Sequence, residues 1–379
     1  MRADGVKNGL QHPYTSQEKG LGTAPPSRGR SARPTLALLA TFAALAGCQR
    51  APEPYRQESY AFGTRIEITV AGVPDATARQ AVGAVLADLD RLHRELHPWQ
   101  AGSALVRINA ALAAGNTVSI PPEVAELVSL SQDYARRSDE LFNPAIGALV
   151  KAWGFHADHY APLAPPAKTL AELVAARPVM AELSLDGTTL SSANPRVQLD
   201  FGGIAKGWAL DRARDTLKRA GVASALVNIG GNVLAIGKKP DGAPWKVGLM
   251  APRGAGAMAV LALADGEAVG TSGDYQRYFE LAGRRHCHLV DPRDGDTDCA
   301  QQAATLIAPP GPHAGAVSDA ATKPLYFAGA KAALHYARRF GARDVLLVDG
   351  RGAVWVSPTL APRLEWLDPK PSSLHTLTP

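Results

Sequence analysis

Apolar residues recur at three- and four-residue steps through Pro74–His97, where Val82, Val85, Leu86, Leu89, Leu92 and Leu96 fall on one stripe. That period predicts an amphipathic helix. Pro121–Ser138 repeats it with Pro in the first turn, where a missing N–H costs no helical hydrogen bond. Alternation across Tyr60–Val70, with Ile66, Ile68 and Val70 on one side, predicts a strand. Further strands are expected at Val197–Asp200, Ala223–Ile229, Val233–Ile236, Trp245–Met250, Met258–Leu263, Tyr278–Leu281, Arg285–Val290 and Ala304–Ala308. Ala157–Pro178 reads as a loop with a short helix, and Ile204–Ala220 as a helix stopped by Gly221. Ser318–Phe340 reads as helical around an internal Pro324, and Asp344–Val348 with Val354–Val356 as a closing hairpin. No repeat and no regular strand–helix alternation is present. The expected fold class is therefore α+β, mainly antiparallel sheets with packed helices in a single large two-lobed domain.

Charge changes the picture at the N-terminus only. The formal net charge is +5, and residues 1–50 hold seven basic and two acidic residues, a surplus equal to the whole of it. The remaining body is neutral, which argues against nucleic acid as a partner. Arg28, Arg30 and Arg33 precede the apolar run Pro34–Leu45, which ends at Leu45-Ala46-Gly47-Cys48. A basic flank, a short apolar stretch and small residues make an export signal. Leu-Ala-Gly-Cys resembles a bacterial lipobox, which implies cleavage before Cys48 and its lipidation. The expected organisation is a signal peptide at 1–47, a tether at 48–58, the main domain at 59–360 and a tail at 361–379. The expected location is the periplasmic face of a bacterial membrane. With Cys48 lipidated, Cys287 and Cys299 are either bridged or free.

Three segments carry candidate chemistry. In Asp200-Phe201-Gly202-Gly203-Ile204-Ala205-Lys206-Gly207 an acid precedes two glycines and a helix start with Lys in its first turn. Amides at a helix start together with a cation suit a phosphate, although Asp200 as a simple helix cap is the plainer alternative. It is not a Walker loop, because Trp208 follows Lys206-Gly207. Around His286-Cys287-His288, a His-x-His strand would put both rings on one face. Without a third soft ligand, this pair with Asp291 reads better as a pocket wall than as zinc. In Ser318-Asp319-Ala320-Ala321-Thr322-Lys323, Asp319 and Thr322 are three apart on one helical face, a partial magnesium shell or a helix cap.

Taken in order along the chain, the spaced motifs resemble the ApbE family of FAD:protein FMN transferases over roughly residues 56–360. They are Phe62-Gly63-Thr64, Trp99 ahead of Ser103–Asn109, Leu141–Gly147 leading to Trp153-Gly154-Phe155, and Asp200–Gly207. Val227–Asn232, Thr271–Tyr275, His288–Pro292 and the Asp319–Thr322 pair complete them. The resemblance implies FAD contacts from Phe62, Trp99, Leu141, Phe142, Asn143, Asp200, Lys206 and Val290. It implies a magnesium shell of Gly203 (carbonyl), Asp319 and Thr322. FAD would be split as a substrate, FMN placed on a threonine of an acceptor protein with a Ser/Thr-rich motif, such as a membrane redox-complex subunit, and AMP released. Asp319, Asp291 and His288 are the candidates to assist the proton transfer. Two departures stand out. Asn143 replaces an Asp common in the family, and where many members carry Thr four residues after the helix Asp, this chain has Lys323. A flavin carrier without catalysis, an FAD pyrophosphatase and a scaffold lipoprotein are the competing expectations.

Overall fold

The computed structural model describes residues 53–156, 162–297 and 299–378. The run Asn232–Ile236 is buried at every position, and Gln302–Ala308 likewise. A strand can carry so continuous an apolar run only if both its faces are covered. Alternate residues serve two cores. Leu234, Ile236, Leu306 and Ala308 enter one, and Val233, Ala235, Ala303 and Ile307 the other.

Both strands sit inside a nine-stranded sheet whose order follows the chain. It runs Tyr55–Ala61, Thr64–Val70, Ala225–Ile229, Asn232–Ile236, Ala268–Gly273, Gln301–Ala308, Asp344–Asp349, Val354–Val356 and Leu374–Thr376. Neighbours are antiparallel except the last pair, which is parallel. The helices are α1 (Asp75–Glu95), α2 (Ala104–Ala113), α3 (Pro122–Arg137), α4 (Gly147–Ala152) and α5 (Ala167–Ala175), followed by α6 (Ala205–Arg219), α7 (Ala314–Ala320), α8 (Thr322–Ala328) and α9 (Ala333–Arg339). Helices α1, α6, α7, α8 and α9 pack on one face of the sheet. A three-stranded sheet of Trp245–Met250, Ala257–Leu263 and Leu364–Trp366 covers the other. The architecture is α+β with mainly antiparallel sheets, and residues Ala51–Pro379 form one compact unit. No helix of the described residues is long and apolar enough to cross a membrane.

Several expectations change. Tyr60–Val70 is a hairpin rather than one strand, turning at Phe62 and Gly63, both with left-handed φ (55° and 67°). Its first strand begins at Tyr55, so the expected tether is already sheet there. The expected tail is also integral, since Leu364–Trp366 pairs with Ala257–Leu263 and Leu374–Thr376 with Val354–Val356. Val197–Asp200 makes only a bridge, Gln198 to Ile146. Ser318–Phe340 breaks into three helices. Pro324 cannot donate and crowds the preceding turn, and Gly329 takes a left-handed φ of 66° at the end of α8. Helix α2 and strand Ala268–Gly273 were not expected. Ser103 caps α2 by accepting from the Val106 N–H at 3.0 Å. The export signal and Cys48 lie outside the described residues.

Helices α6 and α7 cross through two glycines. A Cβ on Gly207 would lie 2.2 Å from the Gly315 carbonyl oxygen, and one on Gly315 2.2 Å from that of Gly207. Gly315→Ala should therefore destabilise the protein by about 3 kcal/mol. Gly83→Ala, on the exposed face of α1 with nothing within 4 Å, should gain roughly 0.5–1 kcal/mol. Urea midpoints at unchanged slope measure both; a Gly315→Ala protein as stable as the parent would contradict the crossing.

Candidate active site

A helix leaves its first amides without partners. Neither α6 nor α7 has a side-chain cap from its own N-cap residue, Ile204 and His313 respectively. Each is capped by the other. The Asp319 carboxylate of α7 accepts from Gly207 N–H of α6 at 3.0 Å. Asp211 of α6 accepts from Gly315 and Ala316 N–H of α7, both at 2.9 Å. Arg214 pairs with Asp211 at 3.0 Å and bonds the Gly311 and Pro312 carbonyls. This exchange brings Asp200–Gly207 and Ser318–Lys323, more than a hundred residues apart, to one place.

Asp319 is nearly inaccessible. Burial opposes its ionisation, but Lys206 and Lys323 outweigh burial and hold its carboxyl below the usual range. Lys206 Nζ lies 4.0 Å from Oδ2. Lys323 Nζ donates to Oδ1 at 2.6 Å and to the Asp319 carbonyl at 2.8 Å. Burial pushes the Lys323 ammonium down, and Asp319 opposes that shift. A Cβ on Gly203 would meet Lys323 Cε at 3.2 Å and Phe142 Cε2 at 3.5 Å, so the lysine runs beneath the Gly202-Gly203 turn. Thr322 Oγ1 donates to the Asp319 carbonyl at 2.6 Å and accepts from Ser272 Oγ at 2.7 Å, fully buried.

This donor set does not fit the expected magnesium. Magnesium takes six oxygens, usually one or two carboxylates completed by water and phosphate. Here one carboxylate serves two ammonium groups, and the Thr322 oxygen is engaged by its neighbours. Like unit charges about 4 Å apart repel by roughly 4 kcal/mol at an effective dielectric near 20, and a dication doubles that. The shell expected from Gly203, Asp319 and Thr322 is instead an ammonium–carboxylate site.

Beside it runs an aromatic wall. Phe62 donates its N–H to His93 Nδ1 at 3.2 Å and meets that ring edge-on at 5.8 Å. His93 stands edge-on to His97 at 5.5 Å. His97 Nδ1 accepts from Trp99 N–H and Gln100 N–H at 3.3 and 3.1 Å. Trp99 meets His156 at 5.2 Å and lines a recess of about 550 Å³ with Asn109, Lys151, Arg196 and Gln198, which none of Lys206, His288, Asp319 and Lys323 lines. Asp200 Oδ1 accepts from Gly202 N–H at 2.8 Å. Burial raises its carboxyl, opposed by that amide and by Arg277, Lys206 and His97.

His288 lies within the field of Arg277, Lys206 and Lys323. The Arg277 carbonyl accepts from His288 N–H at 3.0 Å and sits 3.2 Å from Nδ1. A carbonyl only accepts, so Nδ1 carries the hydrogen and Nε2 the lone pair. Burial, then Arg277 and Lys206, bring the imidazole down to about 3.

Other expected site residues serve the scaffold. Leu141 and Phe142 are buried, Phe142 as the wall behind Gly203. Asn143 donates to the Pro178 carbonyl at 2.9 Å and accepts from Ala145 N–H at 3.0 Å, which locks a turn. The Val290 side chain packs with Trp153, Phe155 and Phe279. Asp291 is gripped by Arg293 at 2.9 and 2.6 Å and closes the turn to Asp296, a poor place for a base. His286 does not share a face with His288: the strand stops at Cys287, and His286 stacks on Trp153 and Phe279 at 5.0 and 5.2 Å. Cys287 and Cys299 are free thiols. Arg277 and His97 escaped the sequence reading. Arg277 follows the Thr271–Tyr275 motif by two residues, and His97 ends the apolar stripe of α1.

The ApbE family model matches residues 62–347. The chain belongs to the ApbE family. It is 38% identical over 347 residues to an FAD:protein FMN transferase of Rhodobacter capsulatus, covering 91% of this chain and 65% of that one. It is 41% identical over 202 residues to one of Klebsiella pneumoniae, covering 52% and 60%. The chain thus spans less than two thirds of the length of these two ApbE relatives. Among solved ApbE structures, that of Thermotoga maritima superposes with a TM-score of 0.74 at 29% identity, covering 82% of this chain and 99% of that one. The apo flavinyl transferase of Pseudomonas stutzeri gives 0.70 at 30%, covering 82% and 96%.

The depressed His288 value fixes a sign. The unfolded chain takes up a proton near 6.5 that the folded protein refuses until about 3. Stability from this group is therefore full above 6.5 and falls as pH drops below it. Imidazole NMR should show His288 neutral at pH 5. His288→Gln should flatten the decline of the denaturation midpoint below pH 6.5; titration near 6.5 in the folded protein would contradict the geometry.

Proposed function

We propose that this chain is an FAD:protein FMN transferase. The observation that carries this is the convergence of Asp319 with Lys206 and Lys323 at the start of α6, beside the aromatic wall. Its relatives of Rhodobacter and Klebsiella carry that name. A helix start with a cation suits the FAD pyrophosphate, and planar rings such as Phe62 and Trp99 suit flavin or adenine.

In the proposed reaction an acceptor threonine Oγ attacks the phosphorus of the FMN half. The bridging P–O bond breaks, and its electron pair leaves on the AMP phosphate. The threonine proton passes to a base, for which neutral His288, with its lone pair on Nε2, is the candidate; its depressed value makes it a weak base until phosphate charge offsets the nearby cations. Lys206 offsets charge on the phosphates. Asp319 is bound by two lysines and an amide, so its part is to position them rather than to take a proton. The acceptor is a protein with a Ser/Thr-rich motif, of the kind carried by membrane redox complexes. Export through residues 1–47 and lipidation at Cys48 would place the enzyme at the periplasmic face of a membrane.

Incubation with FAD and an acceptor peptide bearing a Ser/Thr-rich segment should yield AMP and a flavin-labelled peptide in equal amounts, read by mass spectrometry. Asp319→Ala should lower the rate by about 10²–10³-fold, the scale for losing an electrostatic stabiliser. AMP with free FMN and no labelled peptide would instead mean a pyrophosphatase. Bound FAD with no AMP would mean a carrier.

A further inference from the structure

Magnesium was expected at Asp319 from the family resemblance, and the residues there hold something else. Lys323 stands at the fourth position after Asp319, where many members carry Thr. Its stem passes under Gly203, with a Cβ on that glycine only 3.2 Å from Cε and 3.9 Å from Nζ. Its ammonium sits on Asp319 Oδ1 at 2.6 Å. The residue is 9% exposed, so this is a built ion pair rather than a surface lysine at rest.

Resting on the transferase reading, we propose that Lys323 is the resident cation of this site, standing where the family resemblance puts a divalent metal. The ammonium does three things with one charge. It neutralises Asp319, which would otherwise repel the phosphates. It fixes the carboxylate oxygen that does not cap α6. With Lys206 it leaves the site one positive charge in surplus, two ammonium groups against the single Asp319 carboxylate, available to the dinucleotide phosphates. A dication would have to displace the ammonium from Oδ1, and the buried Thr322 hydroxyl, which donates to the Asp319 carbonyl and accepts from Ser272, keeps a single lone pair to offer it. Lys323 acts through the Asp319 carboxylate that it holds, so it is a positioning residue.

The test separates metal binding from turnover, using the protein from Ala51 onward, the compact unit, with manganese as the probe. Electron paramagnetic resonance should find no manganese held by the FAD-free protein, whereas Lys323→Thr should acquire one manganese that Asp319→Asn in the same background removes. Turnover of FAD with an acceptor peptide should be unchanged by EDTA in the parent protein. In Lys323→Thr it should fall about 10²-fold in EDTA, the scale of a lost electrostatic stabiliser, and recover with magnesium. Manganese bound by the parent protein and lost with Asp319→Asn, or parent turnover abolished by EDTA, would overturn the proposal. If no arm releases AMP, the transferase reading fails, and the manganese titration alone decides the role of Lys323. Should Lys323→Thr not fold, both measurements on the parent protein still decide it.

Discussion

Two helices that cannot cap themselves cap each other, and the site follows from that. Asp211 closes the start of α7 and Asp319 the start of α6. Each carboxylate is buried, so each is tolerable only because amides and a cation satisfy it. The crossing that permits this needs glycine at 207 and 315, because the backbones approach to distances no side chain admits. A substitution at either helix start therefore disturbs both helices together.

The same geometry gives Asp319 two tasks that pull in one direction. Its Oδ2 anchors the first turn of α6, and its Oδ1 holds Lys323. A neutral isostere could keep the cap but not the ion pair, while a truncated side chain loses both. Fold stability and placement of charge are thus coupled through one carboxylate. Local and global electrostatics part here: the body beyond residue 50 is formally neutral, yet Lys206 and Lys323 converge on one buried acid. Recognition of an anionic dinucleotide needs only this local surplus.

Periodic elements were legible in the sequence, and elements defined by long-range partners were not. The α1 stripe and the Asp344–Val356 hairpin declare themselves through local apolar spacing and glycine turns. Strand Tyr55–Ala61 reads Tyr-Arg-Gln-Glu-Ser-Tyr-Ala, polar at most positions, because it is the sheet edge and exposes one face. Its strand character comes from its partner Thr64–Val70, which no local pattern announces. The C-terminal strands are three residues each and exist only through pairing with distant segments. At the site, Asp200, Lys206 and Asp319 were visible as motif residues. Arg277 and His97 were not, because their relevance lies in spatial nearness to Asp200 and His288. Asn143, Val290 and Asp291 show the converse. Their motif positions mark the site's neighbourhood, while their side chains hold the walls.

His288 illustrates how the walls determine chemistry. The Arg277 carbonyl fixes its tautomer, and burial with two nearby cations keeps it neutral. The same cations lower the ring's basicity, because they disfavour the imidazolium that proton transfer would form. A bound phosphate, by offsetting that positive charge, raises it again. The charge at Lys206 and Lys323 attracts the anion to be cleaved, and the anion in turn makes the neighbouring histidine a better base. A metal dication could supply the first effect; the lysines supply it from the fold itself, with their positions set by the caps that join α6 to α7.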